Sequence, residues 1–388
     1  MAKGAGQGRR TDKGRAVAPL YRRIIVKLGT NLLTGGTDHL NLETMAGLVS
    51  QIARLHQQGL ETTIVTSGAM AAGRHKLGLV TEHKGIPFKQ VLCAVGQSRL
   101  MHAYDQLFSW HGITVAQTLL TKTDLSDRSG YLNARNTLLA LMDLRVIAIV
   151  NENDVVAVDE LADMKFGDND NLSAMVANLV DADLLILLTD IEGLFTADPN
   201  LESNARLIPK VEKIDAEIEA LASDTIGTRG TGGMLTKIQA AKLATASGVA
   251  VAIASGHEHN VLPRLVAGES IGTLFLPTSS KRESRQRWML SDLSCKGALV
   301  VDRGAMVALR EQNRSLLPAG IKEVLGSFQR GDVVNILDSK GERIACGITN
   351  YSASEVAAIK GKRSDAIEEA LGHQYGTEVV HRNNLVVV

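Results

Sequence analysis

Runs of consecutive apolar residues that alternate with helix-like segments constrain the fold of this chain most strongly. The apolar runs cover residues 24–26, 146–150, 184–188 and 249–253, and the β-branched run Thr-Thr-Ile-Val at 62–65 is a further predicted strand. A strand that is apolar without alternation is buried on both faces, and apolar residues at a spacing of three and four between such strands indicate helices. Strands and helices in this alternating order predict an α/β fold with a mainly parallel sheet sandwiched by helices.

Polar residues stand directly at the ends of these predicted strands. They are Lys27, Ser67, Asn151, Thr189 and Asp190. In open parallel sheets, ligands bind beyond the carboxyl ends of the strands. We therefore expect these five side chains to face one crevice.

A polar segment from 151 to 173 is wedged between two of the apolar runs. It contains Asp154, Asn169 and Asp170. Carboxylates and amides in such a place can hold an amino group, a metal, or a lysine that binds phosphate. Asp and Asn also favour ordinary turns, so the pattern alone leaves a binding role and a turn role open.

The glycine-rich segment GTGGMLTK at 230–237 runs into a predicted helix. Glycines at a helix start let backbone N–H groups approach a phosphate, and Lys237 would add a full charge. The segment lacks the Gly-Lys-Ser/Thr ending of a Walker A loop. For Gly-Thr-Gly-Gly alone, a flexible surface loop is the favoured interpretation.

Lys27 and Ser67 each have a structural and a functional interpretation. A lysine in a strand covered on both faces needs a partner, which favours a functional role for Lys27. Ser67 precedes a predicted helix, where serine is a common N-cap. The same position would offer its hydroxyl group and free backbone amides to a carboxylate, and both roles stay open.

Composition narrows the class of protein. The chain of 388 residues has 42 basic and 42 acidic residues, so no overall charge attracts nucleic acid or a membrane surface. Aromatic residues make up 3%, which argues against a stacking surface for single-stranded nucleic acid. No apolar run approaches the roughly 20 residues that span a bilayer. Three widely spaced cysteines fit the reducing cytoplasm better than a disulfide framework.

The chain divides into four parts. Residues 1–20 are predicted to be a disordered basic tail, and 21–276 the large α/β domain. A polar, basic linker covers 277–296. From 297 to 380, short apolar segments separated by Gly and Asp predict a small, mostly β barrel-like domain, with strands at 298–301, 333–337, 343–348 and 379–380.

Nine short motifs occur in an order that resembles the amino acid kinase family, and within it the branch that phosphorylates the side-chain carboxylate of L-glutamate. The C-terminal segments at 304–305, 316–321 and 330–334 resemble a PUA domain, which binds RNA in modification enzymes. The kinase-like motifs are VKLGT (26–30), VTSGA (65–69), AVGQSR (94–99), LNAR (132–135), NEND (151–154), GDNDNLSA (167–174), LLTD (187–190), FTADP (195–199) and GTGGM (230–234).

The resemblance implies ATP with Mg²⁺ as phosphoryl donor, and a role for each matching residue. Lys27 and Lys237 would contact the phosphates, and Asp170 would organise these catalytic lysines. The glutamate-binding residues would be Ser67, Asp154 and Asn169. The nucleotide-binding residues would be Lys27, Thr189, Asp190, Thr231, Gly232, Gly233, Met234, Leu235, Thr236 and Lys237.

The resemblance also implies a cytoplasmic enzyme of proline biosynthesis, inhibited by L-proline, homo-oligomeric and in contact with glutamyl phosphate reductase, with no membrane partner. One alternative is another acyl or carbamate kinase of the same family. The other is an RNA-binding protein that acts through its PUA-like domain. The second alternative leaves the ordered kinase motifs unexplained, and neither net charge nor aromatic content supports RNA binding.

Overall fold

A computed structural model describes residues 20–78, 85–157, 169–199, 201–224, 233–281 and 295–387. Over these ranges the chain forms an eight-stranded sheet and a separate five-stranded sheet. The predicted α/β fold, with a mainly parallel sheet between helices, is confirmed. No helix in these ranges combines the length and the apolar character needed to cross a membrane.

The first sheet and its helices occupy residues 23–275. The helices of this part are α1 Thr30–Thr34, α2 Leu42–Gln57, α3 Ala69–Leu77, α4 Ile86–Ser109, α5 Lys122–Ser126, α6 Arg128–Asp143, α7 Asp170–Leu179, α8 Ala216–Asp224, α9 Met234–Ala246 and α10 Val261–Val266. Its strands are β1 Arg23–Leu28, β2 Glu61–Val65, β3 Val115–Leu120, β4 Ile147–Glu152, β5 Leu184–Thr189, β6 Lys210–Val211, β7 Ala250–Ser255 and β8 Thr273–Phe275.

The strand order is β3-β4-β2-β1-β5-β7-β8-β6. The pairs of neighbouring strands are parallel except β7 with β8, which is antiparallel. Strand β1 lies between β2 and β5, near the middle of the sheet. Its carboxyl end therefore lies at the sheet edge where the sequence predicts the ligand site.

Two apolar layers cover the two faces of this sheet. Ile24 and Val26 pack in a layer with residues of α2, α4 and α10, whereas Ile25 packs in a layer with residues of α6, α7 and α9. Successive side chains of a strand point to opposite faces, so Lys27 shares the face of Ile25. The alternation of side chains along β1 thus places the Lys27 ammonium group under α7 and α9.

The sequence analysis missed the short helices α1, α5, α8 and α10. Each has between five and nine residues. Helices of about two and a half turns or fewer contain too few repeats for a helical period to stand out from a loop.

The second sheet has the order β10-β9-β11-β12-β13, with β9 and β11 parallel and the other pairs antiparallel. Its elements are β9 Gly297–Val301, α11 Arg303–Arg310, β10 Ile321–Gly326, β11 Val333–Leu337, β12 Arg343–Ile348, α12 Ala353–Ile359, α13 Ile367–Leu371 and β13 Leu385–Val387, with 3₁₀ turns at Pro318–Gly320, Ser364–Ala366 and Arg382–Asn384.

One predicted strand in this part is wrong. Residues 379–380 form no strand, and Val380 makes only an isolated bridge with Leu316. Both valines of that pair are fully buried in the core of the small sheet, which explains their apolar character. The sequence analysis missed β10, whose burial pattern alternates poorly, and β13, which has three residues.

Helix α6 joins the two sheets through one buried arginine. Arg135 is 2% exposed, and its guanidinium donates to Asn384 Oδ1 (2.6 Å) and to the Asn383 carbonyl oxygen (2.9 Å). It also donates to Asp181 Oδ2 (2.6 Å) and to the Leu179 carbonyl oxygen. One side chain therefore ties the C-terminal segment to the end of α7.

Apolar contacts accompany this arginine. Leu132 of α6 packs in one buried cluster with Val333, Cys346, Ile348 and Val386 of the small sheet. These residues are between 0% and 7% exposed, so the contact excludes water. The Arg135 guanidinium therefore lies in an interface that excludes water, and the burial of its charge depends on its four hydrogen-bond partners.

We expect Arg135→Ala to lower the free energy of unfolding by about 3–5 kcal/mol, because it leaves the Asp181 carboxylate and two carbonyl oxygens without their buried donor. The matched control is Arg128→Ala on the same helix. The Arg128 side chain is 40% exposed and pairs with the buried Asp332 at 3.0 Å across the same interface. Asp332 also accepts from the Gln329 N–H and lies 3.7 Å from Lys296 Nζ, so the loss of Arg128 should cost clearly less than that of Arg135. Urea unfolding of both variants measures the difference, and equal, small losses would contradict this account of the interface.

Candidate active site

The carboxylate of Asp170 lies between two lysine ammonium groups at the carboxyl edge of the first sheet. Lys27 Nζ is 2.8 Å from Asp170 Oδ1, and Lys237 Nζ is 3.2 Å from Asp170 Oδ2. The three side chains are between 0% and 4% exposed. Thr236 Oγ lies 2.9 Å from Asp170 Oδ2 and adds a hydroxyl group to this cluster.

Three different elements bring these charges together. Lys27 comes from β1, Asp170 is the first residue of α7, and Lys237 is in the first turn of α9. Buried charges are tolerated when they are paired, and removal of one partner from a buried pair typically costs about 3–5 kcal/mol. The pairing that the sequence requires for Lys27 is therefore present, and Asp170 supplies it.

A row of side-chain amides lies beside this cluster. Asn169 Nδ2 donates to Asn151 Oδ1 at 2.7 Å, and Asn151 Nδ2 donates to Gln97 Oε1 at 2.7 Å. Asn169 Nδ2 also donates to the Thr66 carbonyl oxygen and lies 3.3 Å from Ser67 Oγ. The row connects α4, β4, the start of α7 and the loop after β2, and all five residues are buried.

Ser67 is not an N-cap. Helix α3 begins at Ala69, its N-cap is Gly68 with φ 97°, and no side chain caps it. The positive φ explains the glycine at 68, because other residues seldom adopt that conformation. The Ser67 hydroxyl is left beside Asn169 at the strand end, where the functional interpretation places it.

Helix α4 lies against the segment that follows β4. Gln90 Nε2 donates to the carbonyl oxygens of Asp154 (3.2 Å) and Val155 (2.9 Å). The Cys93 thiol makes a hydrogen bond with the Asp154 side chain, and burial followed by the charge of Asp154 raises the pKa of this thiol. Asp154 itself is half-buried. Cys93 is buried, as the sequence indicates, but it also contacts a predicted substrate residue.

Close packing of α3 against α4 sets the position of α4 beside the site. A Cβ atom at Gly96 would lie 1.7 Å from the Ala69 carbonyl oxygen, and one at Gly73 would lie 1.9 Å from the Leu92 carbonyl oxygen. Only glycine permits such an approach of two helix backbones. Gly96 precedes Gln97, so this contact brings Gln97 close to the Ser67 loop.

The predicted nucleotide-binding residues lie at the ends of β5 and α9. Thr189 ends β5, and its hydroxyl group donates to Asp190 Oδ1 at 2.9 Å. Asn31 Nδ2 lies 3.4 Å from Asp190 Oδ2. Gly233 is the N-cap of α9, and no side chain caps that helix start. Of the rest, Met234 and Thr236 are buried and Leu235 is 37% exposed, whereas Thr231 and Gly232 lie outside the described residues.

The structure thus brings five of the fourteen predicted site residues together in two adjoining groups. One is the charged group of Lys27, Asp170 and Lys237, and the other is the amide group that contains Asn169 and Ser67. Asn169 and Asp170 are buried and hydrogen-bonded, whereas residues 154–156 form a turn, so a turn role applies to part of the described segment. Gln97 is absent from the predicted site residues, although the AVGQSR motif contains it.

A family model described as the amino acid kinase family matches residues 22–255, and a PUA domain model matches residues 297–371. The chain belongs to the amino acid kinase family. It is 59% identical over 368 residues to a protein of Dehalococcoides mccartyi named glutamate 5-kinase, covering 95% of this chain and 99% of that protein.

Other relatives bear the same name. A glutamate 5-kinase of Herpetosiphon aurantiacus is 52% identical over 367 residues, and one of Shewanella oneidensis is 50% identical over 368 residues. Each match covers 95% of this chain and 98% of the relative. A crystal structure of UMP kinase from Bacillus anthracis aligns with 67% of this chain and 97% of that chain, at a TM-score of 0.45 and 16% identity. The full-length matches to kinases establish this chain as a kinase with a C-terminal PUA domain.

Proposed function

We propose that this kinase transfers the γ-phosphoryl group of ATP to the side-chain carboxylate of L-glutamate and so forms L-glutamyl 5-phosphate. The observation that carries the proposal is the buried Asp170 carboxylate shared by Lys27 and Lys237 at the sheet edge. Its relatives named glutamate 5-kinase support the choice of substrate.

The reaction needs charge stabilisation rather than a general base. A glutamate carboxylate has a pKa near 4.3 in solution, so it is already ionised at neutral pH. The difficulty is the approach of one anion to another. Two lysines at the phosphates offset this repulsion and stabilise the charge that shifts in the transition state.

Mg²⁺ fits this site as an ion carried by the nucleotide. Among the described residues, no three His, Cys, Asp or Glu side chains are grouped to hold a metal, and Asp170 is engaged by lysines. Bound with ATP, the ion supplies positive charge at the phosphates. The chain itself contributes the lysines, the hydroxyl group of Thr236 and the backbone N–H groups at the start of α9.

The substrate amino acid contacts the group of residues that contains Asn169 and Ser67. Asp154 is a carboxylate that suits the ammonium group, and it lies in the segment that α4 positions. The Ser67 hydroxyl group suits a carboxylate oxygen. The two N–H groups of Asn169 already donate to the Thr66 carbonyl oxygen and to Asn151 Oδ1, so Asn169 would contact the substrate through its Oδ1. Thr189 and Asp190 at the end of β5 take the nucleotide, on the other side of the charged group.

The same proposal places the enzyme in proline biosynthesis in the cytoplasm, with L-proline as its inhibitor. Its relatives' name supports the pathway, because glutamyl phosphate is the activated form of glutamate that a reductase can consume. A homo-oligomer and contact with glutamyl phosphate reductase belong to this proposal as well. Sedimentation of the purified chain, alone and mixed with the reductase, tests both associations.

We expect the purified chain to release ADP from Mg·ATP with L-glutamate, and far more slowly with L-aspartate or N-acetyl-L-glutamate. L-Aspartate is one methylene too short to place its carboxylate at the phosphates, and the acetyl group removes the charge that Asp154 would bind. A coupled assay of ADP release with each amino acid measures this. Equal rates with N-acetyl-L-glutamate would show that Asp154 holds no ammonium group.

The inhibition proposal is checked in the same assay. Initial rates with L-glutamate should fall at millimolar L-proline, and D-proline is the matched control for a nonspecific effect. Unchanged rates would remove the inhibitor from the proposal and leave the phosphoryl transfer intact.

Lys237→Ala and Asp154→Ala should change different kinetic parameters, kcat in the first variant and the glutamate KM in the second. Loss of a charge that stabilises the transition state typically lowers turnover by about 10²–10³, so Lys237→Ala should lower kcat and change the glutamate KM little. Lys27→Ala should behave similarly. Asp154→Ala should raise the glutamate KM, because the ammonium group is remote from the reacting carboxylate.

The control for the lysine variants is Lys242→Ala, on the same helix as Lys237. Its side chain is 60% exposed and pairs with Glu219 at the surface, so kcat should remain at the wild-type value. Steady-state kinetics with both substrates varied separates the cases. A Lys237→Ala enzyme with normal kcat and only a raised ATP KM would contradict the proposed role of this lysine.

A further inference from the structure

We propose that Gln97 is a specificity-determining residue that donates a hydrogen bond from its side-chain Nε2 to the α-carboxylate of the substrate amino acid. This inference rests on the proposed function and deepens it. It begins with the direction of the hydrogen bonds in the amide row.

A backbone carbonyl fixes that direction. The Thr66 carbonyl oxygen can only accept, so the atom of Asn169 that faces it is Nδ2. The same Nδ2 donates to Asn151, whose facing atom must then be Oδ1. Asn151 therefore presents Nδ2 to Gln97, and Gln97 must accept through Oε1. This chain of contacts fixes which atom of each amide is the oxygen and which is the nitrogen.

The row ends in a spare donor. Gln97 uses Oε1 for Asn151, and its Nε2 is buried without a hydrogen-bond partner in the described part of the chain. The residue as a whole is 9% exposed. A buried N–H group without an acceptor destabilises a protein, and native structures rarely retain one without a reason. A ligand that supplies an oxygen would remove that cost.

The position of Gln97 indicates which oxygen of the substrate accepts from its Nε2. Gln97 follows Cys93 by four residues on α4, so both lie on the same face of the helix. Cys93 contacts the Asp154 side chain, which the proposed function assigns to the substrate ammonium group. In an amino acid, the ammonium group and the α-carboxylate are bonded to the same carbon atom. A donor next to the ammonium site is therefore suited to the α-carboxylate, whereas the reacting carboxylate lies toward the lysines.

The variant Gln97→Glu isolates this donor. A glutamate at 97 keeps an oxygen that accepts from Asn151 Nδ2, so the amide row survives, but it replaces the N–H donor by an anionic oxygen. The matched control is Gln106→Glu, an exposed position on the same helix with the same change of charge. Two substrates are compared: L-glutamate and its α-amide, L-isoglutamine, which has N–H donors in place of the α-carboxylate charge.

We expect Gln97→Glu to raise the KM of L-glutamate by about 10- to 100-fold, the usual effect of losing a hydrogen bond to a charged group. The kcat and the ATP KM should change little. The affinity for L-isoglutamine, measured as a substrate or as a competitive inhibitor, should stay constant or improve, because the new carboxylate accepts from its amide. Gln106→Glu should change none of these values.

Each other outcome overturns the inference. An unchanged L-glutamate KM would show that water or nothing occupies the Gln97 donor. An equal loss for L-glutamate and L-isoglutamine, together with a lower thermal unfolding midpoint, would show a merely structural role. If Gln97→Glu loses cooperative unfolding, Gln97→Met removes the same donor without adding charge. It must weaken the binding of L-glutamate more than that of L-isoglutamine, because the lost hydrogen bond goes to a charged carboxylate only in L-glutamate. Wild-type turnover of L-glutamate is measured first, and its absence would contradict the proposed function rather than Gln97.

Discussion

The shared carboxylate of Asp170 is the interaction on which the site depends. It pairs with Lys27 of β1 and Lys237 of α9, and both contacts are buried. Two ammonium groups would repel one another in a poorly solvated space, and a carboxylate between them offsets that repulsion. The same interaction fixes three elements of the fold and places two cations at the sheet edge. In the proposed function, stability and catalysis therefore rest on the same three side chains.

Helix α7 is held at both of its ends. Its first residue is Asp170, and the carbonyl oxygen of its last residue, Leu179, accepts from Arg135. Arg135 in turn is held by Asn383 and Asn384 of the C-terminal segment. The PUA domain is thus connected to the charged group through one helix and one guanidinium. A change in the small domain has a direct physical route to the position of Asp170.

Much of the site can be predicted from the sequence, because a buried charge needs a partner and because side chains alternate between the two faces of a strand. Lys27 comes two residues after Ile25 in a strand that is covered on both faces. Its side chain therefore needs a partner on the same face of the sheet as Ile25, and Asp170 lies there. The polar residues at strand ends meet because parallel strands end at one edge. The family resemblance supplies the roles, which the geometry permits for the described residues.

Other features depend on contacts between distant segments, which no local pattern contains. Arg135 looks like an ordinary helix residue, and its partners at Asn383 and Asn384 lie about 250 positions away. Gln97 resembles any polar residue of an amphipathic helix until the direction of the amide row is known. The apolar pair at 379–380 suggests a strand, yet it is buried in the core of the small sheet and makes only an isolated bridge with Leu316.

The most direct test of the central claim is the kcat of Asp170→Asn at saturating ATP and L-glutamate. Asparagine keeps the shape of the side chain but removes the charge that holds both ammonium groups. If Asp170 organises the two lysines at the phosphates, kcat should fall by at least about 10², in line with the loss of one preorganised electrostatic contact. A variant whose kcat stays within a few-fold of the wild-type value, with the protein folded, would show that the lysines act without Asp170.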